Sequence, residues 1–158
     1  MKKGVISILS TMFGTVIGAG TVGRIAGKSI KEARELSEKH LALFLMMDRW
    51  VEVKQKGKNI ASYFEKNGYK EIAIYGMSYA GKRLLFELKG SGIIVKYGID
   101  QKADEIYADI DILKVDDEPP SVDAIVVTPV FFFDEIEEKL SDFVSCPVIS
   151  LEDVLYDV

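Results

Sequence analysis

The stretch Ile72–Gly81 constrains the fold most strongly, because a short apolar run leads directly into a glycine-containing turn. The run Ile72–Tyr75 is typical of a buried β-strand, and apolar residues at positions 84–88 recur with the spacing of one helix face. Strand, glycine turn and helix form the phosphate-binding element of a Rossmann-like fold, since N–H groups of the turn and the positive helix end point toward a bound anion. The sequence therefore predicts a nucleotide-type site at this turn.

The turn has the pattern G-x-S-x-x-G, with a serine where the second glycine of the dinucleotide motif usually stands. A hydrolase nucleophile elbow shares this strand–turn–helix context but needs a histidine later in the chain, and the only histidine, His40, comes earlier. We therefore predict ligand-binding residues here and no catalytic residue, with the serine hydroxyl contacting a phosphate or a backbone group. The predicted binding residues of the turn are Gly76, Met77, Ser78, Tyr79 and Gly81.

Two further strands end in polar residues that belong to the same predicted cleft. A second strand, 93–99, ends at Asp100, nineteen residues after Gly81, where a Rossmann-type site places the carboxylate that accepts hydrogen bonds from ribose hydroxyls. The strand 122–127 is apolar on both faces, as a central parallel strand is, and ends at Thr128. We therefore expect Asp100 and Thr128 to face the glycine turn.

The whole segment 69–158 alternates between strand and helix patterns. A third short strand is predicted within 110–115, a helix at 133–143, a fifth strand at 147–151 and a closing helix turn after it. This alternation predicts an α/β fold: a Rossmann-like, doubly wound, parallel five-stranded sheet of order 3-2-1-4-5, preceded by N-terminal helices.

Residues 1–28 form a glycine-rich segment whose stretch 4–23 carries no charge. Twenty uncharged residues match a membrane span in length, but only ten are apolar, so three interpretations stay open: a membrane anchor, a buried helix or a signal peptide. As an anchor, the segment would leave the C-terminal domain at the inner face of the membrane, because more basic residues follow it than precede it. The single cysteine, Cys146, favours a reducing cytoplasm.

The same segment contains a complete G-x-G-x-x-G pattern at residues 18–23. A dinucleotide site at this pattern requires a second strand, for which 41–48 is the only candidate. Helical spacing continues through 41–48 without a turn signal, so the context favours the turn at Gly76 instead.

Residues 29–68 are predicted to form a helical connector. A first helix is expected from an N-cap at Ser29 to about Lys56, and a second over 59–67. The stretch Leu41–Met47 is almost entirely apolar, which predicts burial against the domain or against a partner subunit, and thus self-association through the N-terminal helices. Trp50 is expected to be a packing anchor.

Charge and composition narrow the ligand class. Residues 69–158 carry nineteen acidic and eight basic residues, which argues against a nucleic acid partner. The chain has no cluster of histidines and cysteines, so no metal is predicted. Lys82 and Arg83, at the start of the helix after the turn, either attract a phosphate or form a solvated flank. The expected ligand is a nucleotide-type small molecule, either NAD(P) or a nucleotide-sugar.

Residues 69–157 resemble the Rossmann-like domain of bacterial sugar O-acyltransferases and NAD-type domains appended to enzymes of surface-glycan synthesis. The resemblance implies that a nucleotide or nucleotide-sugar binds at the glycine turn and Asp100. The catalytic hexapeptide β-helix of the acyltransferases is absent from this chain. The segments that carry the resemblance are Ile72–Gly76, Gly81, Tyr97–Asp100, Val126–Thr128 and Pro147–Leu151.

The function expected from these features is a binding module of bacterial cell-surface glycan synthesis without catalytic machinery of its own. Two alternatives stay open. One is a component of an NAD-dependent nucleotide-sugar dehydrogenase or epimerase. The other is a structural, oligomerising module with an empty site.

Overall fold

A computed structural model of the chain describes the backbone of residues 3–158 and the side chains from residue 28 onward. The chain divides into two compact units, residues 1–41 and residues 42–158. Helix α1 spans Lys3–Gln55. The expected helix start at Ser29 is therefore wrong: no proline occurs before Pro119, so nothing removes a helical hydrogen bond near Ser29 and the helix continues through it.

The described part of the first unit, residues 28–41, is helical and has no buried side chain. Three ion pairs at i,i+4 spacing run along it: Lys28–Glu32 at 3.8 Å, Lys31–Glu35 at 3.7 Å and Arg34–Glu38 at 2.9 Å. Exposed pairs of this kind contribute about 0.3–0.5 kcal/mol each, so they support the helix only weakly.

The second unit contains a five-stranded sheet in which all strand pairs are parallel. The strand order is β3-β2-β1-β4-β5, which confirms the predicted topology. The third strand has three residues and lies within the predicted range 110–115. The strands are β1 Glu71–Tyr75, β2 Ile94–Ile99, β3 Asp111–Leu113, β4 Ala124–Val127 and β5 Val148–Ser150.

Helices cover both faces of this sheet, as the predicted doubly wound arrangement requires. One face packs against α2, α3, α5 and residues 46–53 of α1, and the other packs against α4 through Ile136 and Leu140. β1 and β4 are buried along nearly their whole length, because they are central and covered on both sides. The helices are α2 Ala61–Asn67, α3 Tyr79–Leu88, α4 Phe133–Ser141 and α5 Leu151–Asp157.

The apolar stretch Leu41–Met47 differs from the expectation that it is buried on the domain. Met46 is fully buried, but Phe44 is 65% exposed and Leu45 is 50% exposed. The stretch is apolar around most of the helix, whereas a helix resting on one layer can bury only one stripe. Burial against a partner subunit stays a prediction. Trp50 is confirmed as a packing anchor: it is 5% exposed and its Nε1 donates to Glu87 Oε2 at 2.7 Å.

The predictions for residues 4–23, namely the membrane contact and the G-x-G-x-x-G interpretation, fall outside the described side chains. The G-x-G-x-x-G interpretation requires a strand at 41–48, but this range is helical. Among residues 28–158, no helix is both long enough and apolar enough to cross a membrane.

Candidate functional site

The turn after β1 has a backbone shape that only glycine adopts readily at position 76. Gly76 has φ +88°, and a Cβ atom there would lie 2.6 Å from Cδ of Pro129 and 2.8 Å from Oγ1 of Thr128. The Gly76 N–H donates to the Ile99 carbonyl at 2.8 Å, so the turn is also tied to the end of β2. Both conformation and space therefore require glycine.

Gly81 allows helix α3 to pack directly on this turn. A Cβ atom at Gly81 would lie 2.1 Å from the carbonyl oxygen of Gly76, which is far inside van der Waals contact. This matches the role of the third glycine of a dinucleotide-binding motif, which permits close packing between strand and helix. Gly81 shapes the turn but does not face a ligand.

Thr128 holds the turn from the other side. Its side chain is 3% exposed, its Oγ1 donates to the Gly76 carbonyl at 2.6 Å, and its N–H donates to the Tyr75 carbonyl at 3.0 Å. The hydroxyl is thus used within the protein, and Thr128 is a positioning residue for the turn.

Asp100 lies at the predicted place, at the end of β2 beside the glycine turn. Its Oδ2 accepts the Met77 N–H at 2.8 Å and its Oδ1 accepts the Lys102 N–H at 2.9 Å. Because a carboxylate has about four acceptor positions, two remain for ligand hydroxyls. The Met77 side chain is fully buried, and a Cβ atom at Gly98 would lie 2.6 Å from its Cγ. Met77 is therefore a core residue whose N–H orients Asp100.

A cavity of about 400 Å³ opens where the carboxyl ends of β1, β2 and β4 meet. This is the switch point of the strand order, the usual ligand position in open α/β sheets. Of the predicted residues, Gly76, Ser78 and Asp100 line it, whereas Met77, Gly81 and Thr128 do not. Tyr79 is 83% exposed and does not line it. The complete lining is Tyr75, Gly76, Ser78, Asp100, Gln101, Lys102, Pro129, Phe132, Glu135, Ile136 and Lys139.

Ser78 occupies the N-cap position of α3 but makes no side-chain capping bond. The first intrahelical bond of α3 runs from the Lys82 N–H to the Ser78 carbonyl at 3.1 Å. The N–H groups of the first helical turn have no intrahelical acceptor, as in any α-helix. Ser78 therefore presents an exposed hydroxyl at the mouth of the cavity beside the positive end of α3.

Helix α4 forms a wall of the cavity that the sequence analysis did not identify. Phe132, Glu135, Ile136 and Lys139 line the cavity at the spacing of one helix face. The sequence predicted a helix at 133–143, but its pattern did not show which residues of that helix face a ligand site. Their position after Pro129, next to the switch point, is what brings the polar members of this face into the site.

Two aromatic rings border the cavity, Tyr75 from β1 and Phe132 from the start of α4. Tyr75 is 6% exposed, and burial raises the pKa of its phenol, with a further contribution from the negative charge of Asp100. The phenol therefore stays protonated at neutral pH and remains a hydrogen-bond donor.

Charge in the cavity is mixed, with carboxylates at Asp100 and Glu135 and ammonium groups at Lys102 and Lys139. Lys102 forms an exposed ion pair of 3.7 Å with Glu105. Lys82 and Arg83 do not line the cavity; they border two other concave surfaces. Within residues 28–158, no group of three or more histidine, cysteine, aspartate or glutamate side chains is arranged to hold a metal ion.

A groove of about 640 Å³ lies between α1 and α3 in the second unit. Two of its polar side chains pair with Glu87, which accepts from Trp50 Nε1 at 2.7 Å and from Lys54 Nζ at 3.0 Å. The groove is larger than the cavity, but it lies away from the strand ends. Its lining includes Met47, Val51, Lys54, Arg83 and Phe86.

Comparison with known proteins produced no relative of this chain: no protein-family model, no curated protein and no solved structure matches it. The function is therefore inferred from the geometry of the site.

Proposed function

We propose that this protein binds a nucleotide-type small molecule, either a nucleotide-sugar or NAD(P), in the cavity at the carboxyl ends of β1, β2 and β4. The observation that carries the proposal is the meeting of the glycine turn and Asp100 at one cavity. A half-buried carboxylate, positioned by two backbone N–H groups at 2.8 and 2.9 Å, is well placed to accept ribose hydroxyls.

The other walls of the cavity suit the rest of such a ligand. The rings of Tyr75 and Phe132, together with Ile136, offer an apolar surface for a base. The Ser78 hydroxyl and the two lysines offer hydrogen bonds to an anionic group. The cavity lining contains no histidine and no cysteine, so we propose a binding module in which this chain supplies no nucleophile–base pair.

The cellular role and location of the protein are proposed from the sequence resemblance. The likeness to domains of surface-glycan enzymes supports a role in bacterial cell-surface glycan synthesis, on the cytoplasmic side, with residues 4–23 contacting the membrane. A catalytic partner chain would then act on the bound ligand, which is the dehydrogenase- or epimerase-type alternative.

A structural role through self-association is a second candidate, favoured by the exposed apolar residues of α1. Phe44, Leu45 and Val51 are each at least half exposed in the second unit. Light scattering of the full chain across a tenfold range of concentration tests this candidate. A stable dimer that weakens with Phe44→Asp supports it, and a monomer throughout contradicts it.

Ligand binding is tested by thermal shift on the full-length protein with NAD, NADP, UDP-sugars, CoA and ATP. A ligand that binds only the folded state raises Tm by an amount set by its concentration relative to Kd. We expect a rise with a nucleotide or nucleotide-sugar, and a loss of that rise in Asp100→Asn, which keeps the side-chain shape but removes the charge.

Asp109→Asn is the matched control, because Asp109 is an exposed aspartate outside the cavity that pairs with Lys89. It is expected to keep the full ligand-induced rise. The absence of a rise with every ligand would contradict the proposed function. An undiminished rise in Asp100→Asn would contradict the site.

A further inference from the structure

We infer that the anionic group of the ligand is held at the α4 wall by Lys139, with Lys102, rather than in the glycine turn as in a dinucleotide-binding fold. This inference rests on the proposed function and specifies which residues of the same cavity recognise the phosphate. It is carried by the two turn donors that are already engaged and by the lysine side chains that line the cavity.

Two backbone donors of the glycine turn are already used within the protein. The Gly76 N–H donates to the Ile99 carbonyl at 2.8 Å and the Met77 N–H donates to Asp100 Oδ2 at 2.8 Å. Phosphate binding at a helix N-terminus depends on backbone N–H groups without protein acceptors. A phosphate in the turn would also lie beside the Asp100 carboxylate, and two anions at close range repel each other.

The ammonium groups that line the cavity are those of Lys102 and Lys139. Lys139 projects from the last turn of α4, and Lys102 follows β2. The basic residues of α3, Lys82 and Arg83, line other surfaces and contribute no charge to the cavity wall. An anion that enters the cavity therefore finds positive charge at Lys139 and Lys102, while Asp100 and Glu135 are the negative charges of the same lining.

Lys139 has no ion-pair partner within residues 28–158, although α4 carries several acidic side chains. Lys102 has only the exposed 3.7 Å pair with Glu105, and pairs of this kind contribute little. Both ammonium groups can therefore turn to a phosphate at small cost, each as a point charge with three donors.

The arrangement also indicates which part of a nucleotide fits. Asp100 can accept hydroxyls and Lys139 can donate to an anion within the same cavity, as the ribose and phosphate of one nucleotide would require. The cavity of about 400 Å³ is near the lower end of the usual size range for ligand pockets. We therefore assign it to a nucleoside monophosphate moiety, with any sugar or second nucleotide extending outward.

The experiment compares nucleoside with nucleotide in full-length protein by isothermal titration calorimetry, using uridine against UMP and adenosine against AMP. The ratio of the two Kd values measures what the phosphate adds. In Lys139→Gln this advantage should fall about tenfold or more, as expected for loss of a hydrogen bond between charged groups. Lys139→Arg should restore most of it.

Lys82→Gln is the matched control, because it removes the same charge from an exposed position outside the cavity. It should leave the phosphate advantage unchanged. An advantage preserved within twofold in the double variant Lys102→Gln/Lys139→Gln would overturn the assignment, as would a loss in Ser78→Ala alone. If neither nucleoside nor nucleotide binds the unaltered protein, the proposed function fails as well.

Discussion

The cavity has two walls that are built differently. The turn wall is formed by Gly76, which lines the cavity, with Met77, Gly81 and Thr128 holding the turn in place. Each of the four is fixed by a backbone conformation, a hydrogen bond or close packing. The helix wall consists of Phe132, Glu135, Ile136 and Lys139 on one face of α4. The glycine motif in the sequence therefore identifies mainly the residues that shape the site. The side chains that would select a ligand lie largely on the other wall.

This difference predicts a separation of effects. Substitutions in the turn wall should lower the free energy of unfolding, because they disturb the packing or hydrogen bonds of backbone and buried groups. Substitutions of polar residues in the helix wall should change ligand affinity and leave stability nearly unaltered. The expected effects decrease from Gly81 in the turn wall to Glu135 in the helix wall.

Gly81→Ala should destabilise the protein most, by more than about 4 kcal/mol, because the new methyl group would lie 2.1 Å from a backbone oxygen that cannot move alone. Circular dichroism with urea denaturation measures the loss. Gly92→Ala is the control, since its Cβ would have only a side-chain oxygen 4.0 Å away. Equal stability of the two variants would contradict the close packing of α3 on the turn.

Gly76→Ala should cost about 2–3 kcal/mol, combining a left-handed backbone with a contact of 2.6 Å to Pro129. Gly90→Ala separates the two causes, because Gly90 has φ +78° with nothing within 4 Å. The cost at Gly90 should be that of the conformation alone, about 1–2 kcal/mol. A cost at Gly76 no larger than at Gly90 would show that Pro129 does not restrict the turn.

Thr128→Val should cost about 1–2 kcal/mol, because it leaves the Gly76 carbonyl without the donor at 2.6 Å in a buried position. Thr128→Ser retains the hydroxyl and should recover most of that stability. Urea midpoints of the two variants provide the measurement. If both lose the same amount, the hydrogen bond is not what holds the turn.

Glu135→Gln should change stability by no more than about 0.5 kcal/mol, because the side chain is exposed and forms no ion pair within the described part of the chain. The same variant should bind UMP at least as tightly as the unaltered protein, since it removes a negative charge from the cavity. A loss of stability above 1 kcal/mol would make the helix wall structural and remove the contrast between the two walls.

The fold could be predicted from the sequence because the strand patterns, the helix patterns and their alternation all indicate the same α/β topology. Apolar strands such as Ile72–Tyr75 alternate with amphipathic helices, and that alternation leaves few parallel-sheet topologies. Asp100 was placed correctly because the end of a strand fixes the position of the next residue. The α4 wall was missed because an amphipathic pattern alone does not say which polar residue faces a cavity formed by distant strands.

The N-terminal helix shows the same limit in another form. Ser29 has the chemistry of an N-cap, but a cap acts only where a helix begins, and α1 starts at Lys3. Apolar character at Leu41–Met47 predicted burial, although burial also requires a surface to pack against. In this chain the packing surface buries Met46 but leaves Phe44 exposed to solvent.

Titration of ¹⁵N-labelled full-length protein with UMP and with AMP, followed by amide chemical shifts, tests the central claim most directly. It locates the bound nucleotide without altering any residue. The account predicts shifts at Ser78, Gln101 and Lys139, with no change at Val51 and Phe86 in the groove between α1 and α3. Shifts confined to that groove, or no shifts at all, would contradict it.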